Sequence, residues 1–389
     1  AFCILLAPGW FRTDPRHGEY YTILLLGALG AMAMAGAGDL LQLTIAVLLS
    51  SVTGYTLAAW HRDWALSIEA GMKYFLMGAL ANALLITGVT LMLGLLGNTG
   101  YADIAASLRL GTGLSPLLFV GFALTLTGVA FKLGAVPAHA WLPDVAEGAP
   151  VPSAAFLTVV PKIGAAIALA RLVQLVPPEF LGLRPLIAIL AAATMTLGNL
   201  AAFWQDDIRR LIGWSSVAQA GYVLMAVTVL GLSPDALSAL LAFIASYAIG
   251  NLAAFAVVAY LRGRTAIADY DGLAKRRPLV ATVLVVSFLS LVGIPPTVGF
   301  LGKLALFMTT VDGGYTWLAV VAAANTVASL FYYARVMGRA YFNAPPEEIA
   351  VLDRSSGVAV LIGGIFVIGG AVLAGSAFTA FQLSQLLPG

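Results

Sequence analysis

Charge is scarce in this sequence. Charged residues make up 10% of its 389 positions, against 61% apolar residues, where a soluble domain carries about 25% charged residues. Cysteine is nearly absent: the single Cys3 excludes a disulfide framework and a cysteine-rich metal site within the chain. No cleavable signal pattern opens it, since the apolar run Phe2–Ala7 is too short; that run reads as the tail of a helix whose beginning is missing. No nucleotide-binding glycine pattern occurs, and nothing in the sequence calls for nucleic acid. The glycines sit inside apolar runs, where small residues let membrane helices approach closely. Acidic residues are almost missing from those runs: Glu69 lies near a segment end, and Asp39 opens the second run.

What remains is a polytopic membrane protein. Apolar runs of about 20 residues cross a bilayer, and eleven are present: 20–37, 39–60, 67–97, 114–134, 153–177, 183–204, 211–232, 236–261, 278–311, 316–342 and 356–386. The ninth is interrupted by Gly293-Ile294-Pro295-Pro296, the fourth runs into Gly134-Ala135-Val136-Pro137, and the fifth contains Pro161. Proline breaks the helical hydrogen-bond ladder, and such breaks are tolerated at membrane depth where they line a protein-enclosed cavity.

Loop charges support the count. Alternate connections carry Arg12, Arg16, Arg62, Arg209, Arg210, Arg262, Arg264, Lys275, Arg276, Arg277, Arg339 and Arg354; the other side carries only Arg109 and Arg184, with Arg171 and Arg335 near helix ends. The positive-inside rule puts the arginine-rich side in the cytoplasm. The two interrupted segments are five apart, which suggests two five-helix repeats, and an odd count inverts the second. Inverted repeats with broken helices are a transporter signature. The expected organisation is a remnant at 1–19, repeats at 20–177 and 178–342, and a loop with a final transmembrane helix at 343–389.

Lysine breaks the rule that arginine follows. Of five lysines only Lys275 lies in a charged loop; Lys73, Lys132, Lys162 and Lys303 lie inside apolar segments. An ammonium in hydrocarbon is costly, and lysine, unlike arginine, sheds its proton when desolvated. Lys132 precedes Pro137 by five residues, Lys162 follows Pro161, and Lys303 lies seven past Pro296. Glu69 and Lys73 share one helix face and can pair. His139, which titrates near neutrality when unperturbed, is placed to link sites. Against this stands a plainer reading: lysines snorkel to the interface, the Glu69–Lys73 pair is static, and His139 is a satisfied loop residue. Four such lysines, two beside helix breaks, favour a proton relay. Trp60, Trp64, Trp141 and Trp204 are expected as interfacial anchors, and the pairs Asp206-Asp207 and Glu347-Glu348 as solvated loop residues.

Several stretches carry a family likeness. SIEAGMKYFLMGALANALLITG at 67–88, the run from Gly128 to Ala166 with WLPDVAEGAP inside it, DDIRRLIGWSSVAQAGYVLMA at 206–226 and SLVGIPPTVGFLGKLALF at 290–307 resemble the antiporter-like subunit N of bacterial complex I, the proton-pumping NADH–quinone oxidoreductase. WLPDVAEGAP is the most specific, and the likeness runs from about His17 to about Phe342. The resemblance implies an all-α fold of inverted five-helix repeats with discontinuous helices, set in the bacterial inner membrane among other membrane-arm subunits. It implies proton translocation driven by quinone reduction elsewhere, with FMN, iron–sulfur clusters and quinone in other subunits and no cofactor in this chain. The functional lysines fall on Lys73, Lys132, Lys162 and Lys303, with Lys132 and Lys303 on the two broken helices and Lys162 between. The sequence departs from the pattern in three ways. Leu48 stands where a glutamate is expected to pair with the first-repeat lysine, Gln219 stands where a histidine is frequent, and three N-terminal helices have no counterpart. The loss at Leu48 opens an alternative, a structural subunit that no longer conducts. A sodium/proton antiporter of the Mrp type is the other, disfavoured because sodium wants carboxylates and carbonyl oxygens.

Overall fold

A computed structural model describes residues 1–111, 115–178, 180, 182–345 and 354–382; nothing is said of the side chains of residues 354 and 374. The pair Glu347-Glu348 lies outside the described residues. Every long element is a helix, as the bilayer demands, because a helix satisfies its backbone polar groups within one segment. In order these are α1 (Phe2–Trp10), α2 (His17–Gly36), α3 (Leu40–Ala58), α4 (Ala65–Leu96), α5 (Tyr101–Arg109), α6 (Pro116–Leu133), α7 (Trp141–Gly148), α8 (Val151–Gln174) and α9 (Leu183–Ala202). Then come α10 (Ile208–Thr228), α11 (Ala236–Tyr260), α12 (Leu273–Arg276), α13 (Pro278–Val292), α14 (Val298–Asp312), α15 (Thr316–Phe342) and α16 (Arg354–Gln382).

Ten of these helices are long and apolar enough to cross a membrane, and α13 is a shorter apolar helix. The eleven expected spans are all present, the ninth divided into α13 and α14 at the Gly-Ile-Pro-Pro interruption. The fourth is α6, undivided, and the Gly134–Pro137 interruption that follows it leads into the short α7.

The two halves repeat a structural device. Asp39 caps α3 by accepting from the Leu41 and Gln42 amides, and Asp207 caps α10 by accepting from Arg209 and Arg210. Beside each cap a short antiparallel bridge joins the turn to the loop after the half's third helix, Asp39 with Gly100 and Asp207 with Ala266. The Leu40 amide donates to Thr99 and the Ile208 amide to Thr265. Asp207 is therefore a helix cap rather than a solvated loop residue, which corrects one sequence expectation.

α10 and α8 form the centre: 94% and 78% of their spans are buried, against 28% for α4. Small residues allow this packing. A methyl group on Gly198 would lie 2.5 Å from the Ala218 amide, and one on Gly221 would lie 2.7 Å from the Ala191 carbonyl oxygen, so α9 and α10 meet backbone to backbone. The outer faces of α2 and α4 present leucine, methionine and phenylalanine, as at Leu29, Met32, Phe75 and Leu80, suited to lipid chains.

Candidate proton-relay site

Lys132 ends α6 one residue before its terminus. Gly134, at φ 74°, closes the helix in the left-handed conformation open to glycine. Its amide and that of Ala135 return to the Phe131 and Ala130 carbonyls. The Phe131 carbonyl also accepts from Trp141 Nε1 at 3.1 Å. A backbone oxygen exposed by the break is thus satisfied by the first residue of α7.

The ammonium of Lys132 is buried and donates to Tyr74 Oη at 3.2 Å. It lies 5.1 Å from the Tyr74 ring centre, 5.2 Å from Phe131 and 5.9 Å from Tyr55, within cation–π range. Tyr55 on α3 and Tyr74 on α4 meet edge to face, 4.9 Å between ring centres. Each hydroxyl end lies over a glycine of the facing helix: a methyl at Gly78 would sit 1.8 Å from Tyr55 Oη, and one at Gly54 3.0 Å from Tyr74 Oη. Tyr74 also stacks on Trp141, 4.0 Å away at 11°. Leu48 lies on α3 two turns before Tyr55 and is half-buried.

Lys162 is buried in α8 and donates to the carbonyl of Ser216 at 2.5 Å and to its Oγ at 2.8 Å. Ser216 Oγ is 2.7 Å from Tyr247 Oη, which donates to the Thr158 carbonyl at 2.8 Å. With Tyr247 donating there, Ser216 donates to Tyr247, and the hydroxyl chain runs in one direction away from Lys162. Asn251 Nδ2 donates to Thr158 Oγ1 at 2.9 Å.

The second break is held differently. Gly293, at φ 92°, ends α13. The last two carbonyls of α13 accept from side chains: Leu291 O from Gln219 Nε2 and Val292 O from Lys303 Nζ, each at 2.9 Å. Lys303, buried on α14, also lies 4.2 Å from the Tyr222 ring centre. Ser216, Gln219 and Tyr222 follow at intervals of three along α10, on one side of the helix. They serve Lys162, the second break and Lys303 in turn.

No carboxylate lies within ion-pair distance of Lys132, Lys162 or Lys303 among the described residues; their partners are hydroxyls and carbonyls. Lys73 differs. Its side chain is 44% exposed and pairs with Glu69 at 2.7 Å and Asp144 at 3.1 Å. The expected buried lysine is therefore a half-exposed one in an ion cluster, because its position near the start of α4 leaves it at the protein's edge. His139 lies between α6 and α7 with its ring 5.8 Å from Trp214, and no hydrogen bond joins it to a lysine among the described residues. Trp141 is fully buried, not an interfacial anchor: the break turns it inward onto Tyr74. Trp60 is buried as well, donating to Asp14, whereas Trp64 and Trp204 are exposed.

Tyr55, Tyr74, Ser216, Tyr222, Tyr247 and Asp144 were not singled out from sequence. The three-residue spacing of Ser216, Gln219 and Tyr222 was the available signal on α10. Asp144 was in view only as part of WLPDVAEGAP.

Comparison with known proteins bears on this arrangement. The family model described as NADH:quinone oxidoreductase/Mrp antiporter, TM, matches residues 37–329. NADH-quinone oxidoreductase subunit N 1 of Streptomyces griseus is 49% identical over 341 residues, covering 87% of this chain and 72% of its own length. The chain belongs to the subunit N family. Subunit N of Mycobacterium sp. strain JLS is 46% identical over 354 residues, covering 90% of this chain and 75% of that one. Among solved structures, respiratory complex I from Thermus thermophilus with bound aureothin contains a chain that superposes with a TM-score of 0.83 at 30% identity. That match covers 98% of this chain and 85% of the other.

Proposed function

We propose that this chain is a proton-translocating subunit of the membrane arm of an NADH–quinone oxidoreductase, passing protons by way of Lys132, Lys162 and Lys303. The observation that carries this reading is three fully buried lysines with neutral partners, two of them at helix breaks and the third between on the central helix pair. A buried ion pair would fix a lysine's charge, whereas hydroxyls and carbonyls accept from an ammonium and leave an amine able to take up a proton again. The hydroxyls of Ser216 and Tyr247 give Lys162 a polar continuation towards Thr158 and Asn251. α10 spans the interval between Lys162 and Lys303, so a change at one is felt on the helix that serves the other.

In this reading residues 20–177 and 178–342 are the two conducting halves and the arginine-rich loops face the cytoplasm. Flavin, iron–sulfur and quinone chemistry belongs to other subunits, and the neighbours are other membrane-arm subunits. Glu69, Lys73 and His139 are edge elements of the path, with Glu69 and Lys73 at its rim.

The test is the reconstituted complex in proteoliposomes. Lys132→Met and Lys303→Met should each lower protons pumped per NADH oxidised. Both variants pumping at wild-type stoichiometry would sink the relay. A second reading, a structural subunit that no longer conducts, is favoured by Leu48, which gives Lys132 no carboxylate. It predicts that Leu48→Glu and both lysine variants all leave the stoichiometry unchanged.

A further inference from the structure

At the outer edge of the first break an ion cluster extends beyond the rim pair Glu69–Lys73. Asp144 on α7 is shared between two cations from different halves: Oδ2 is 3.1 Å from Lys73 Nζ on α4, and Oδ1 is 2.5 Å from Arg210 Nη1 on α10. Arg210 also reaches Glu147 at 2.6 Å, and Lys73 reaches Glu69 at 2.7 Å. The neighbouring Arg209 is buried and donates to two carbonyls at the end of α7, Ala146 at 2.9 Å and Ala149. Glycine lets α7 press on both neighbours: a methyl at Gly148 would lie 2.3 Å from the Leu66 carbonyl oxygen, and one at Gly213 2.8 Å from Pro143 Cα. α7 is thus wedged between a helix of the first half and one of the second.

The cluster has an inner counterpart. Lys73 is followed by Tyr74, and Asp144 lies one turn after Trp141 on the same short helix. The ion pair Lys73–Asp144 and the stack Tyr74–Trp141 are therefore two successive rungs between α4 and α7. Tyr74 holds the ammonium of Lys132, and Trp141 holds the carbonyl next to it.

We propose that Asp144 is a positioning residue for Lys132, through which α10 acts on the first-half lysine. Its two ion pairs fix α7 against α4 and α10. That seating keeps Trp141 stacked on Tyr74, and the stack keeps the Tyr74 hydroxyl on Lys132. A shift of Asp144 from Lys73 towards Arg210 loosens the outer rung and with it the Tyr74 contact, so a movement of α10 in the second half reaches the first-half lysine. The inference rests on the relay reading above.

The experiment measures protons per NADH for the whole reconstituted complex carrying Asp144→Asn, Tyr74→Phe, the double variant, Asp144→Glu and, as benchmark, Lys132→Met. The expected result is a several-fold fall in Asp144→Asn and in Tyr74→Phe. The double variant should fall no further than the worse single, because both remove one chain of contacts, and Asp144→Glu should restore most of the ratio. Asp144→Asn at wild-type ratio while Lys132→Met falls would overturn this inference and leave the relay standing; a double variant that multiplies the two losses would overturn it too. Lys132→Met at wild-type ratio would remove Lys132 from the relay and this inference with it. If Asp144→Asn does not assemble, Lys73→Gln combined with Tyr74→Phe decides: a fall no greater than the worse single variant supports the outer rung, and multiplied losses refute it.

Discussion

In the first half the lysine precedes the helix break, and in the second it follows it. The consequences reach the hydrogen bonds. At the break between α13 and α14, Lys303 itself satisfies the Val292 carbonyl and Gln219 satisfies Leu291. At the break between α6 and α7, Trp141 takes the Phe131 carbonyl, and Lys132 is left to a tyrosine hydroxyl among three aromatic rings. The second-half ammonium is part of the scaffold of its break, and the first-half ammonium is not. On the proposed relay, folding and proton exchange would be coupled at Lys303 and separable at Lys132.

The largest expected effect that sharpens this difference is on pumping: Lys132→Met should cut protons per NADH several-fold, and with Tyr74→Phe beside it the thermal stability of the purified complex should stay within about 1 kcal/mol of wild type, because both partners of the lost bond are then apolar. Next is Lys303→Met, which should lower pumping and also stability, by about 1–3 kcal/mol, since it strands a buried carbonyl. Equal stability of the two variants in a thermal melt would break the comparison. Packing around the lysines should differ in the opposite sense. Gly78→Ala drives a methyl into Tyr55 Oη, whereas Gly250→Ala on α11 meets nothing closer than 3.4 Å, at Leu291. We expect Gly78→Ala to cost about 1–3 kcal/mol, and Gly250→Ala to fall within about 1 kcal/mol of wild type. The reverse order of melting would contradict the tyrosine–glycine seating.

The smallest effect concerns the loop end of the second half. Asp271 accepts from Arg339 Nε at 2.7 Å and Nη2 at 3.2 Å, and from Asn343 at 3.0 Å. The Arg339 guanidinium, followed by the Asn343 amide, holds the Asp271 carboxyl below its ordinary value of 3.8. A carboxylate lowered on folding contributes stability that is present above its unfolded pKa and lost as pH falls through the folded one. Asp271→Asn should thus flatten the acid limb of a stability–pH curve slightly, by about 0.5 kcal/mol for so exposed a pair, with no change in protons per NADH. A pumping defect there as large as that of Asp144→Asn would erase the distinction between the two loop ends.

Much of this was legible in the sequence because a bilayer leaves so few options. Eleven apolar runs, two Gly/Pro interruptions and lysines at Lys132, Lys162 and Lys303 were read from composition and spacing, and the helices lie where those runs do. Three-dimensional partners were not legible. Tyr74 and Trp141 are 67 residues apart in the chain and meet only because the break folds α7 back against α4. Lys73 looked buried because apolar residues surround it in sequence, yet the helix presents it at an edge beside Asp144. Asp207 looked like a solvated loop acid because a cap is a matter of two amides, not of composition.

On the proposed relay the buried lysines carry protons, and Lys132 does so without holding the fold together. The deciding experiment is Lys132→Met combined with Tyr74→Phe, so that no hydroxyl is left without its partner, in the reconstituted complex, with protons per NADH and the melting curve measured on one preparation. The expected result is a several-fold lower ratio at an essentially unchanged melting temperature. A wild-type ratio would contradict it.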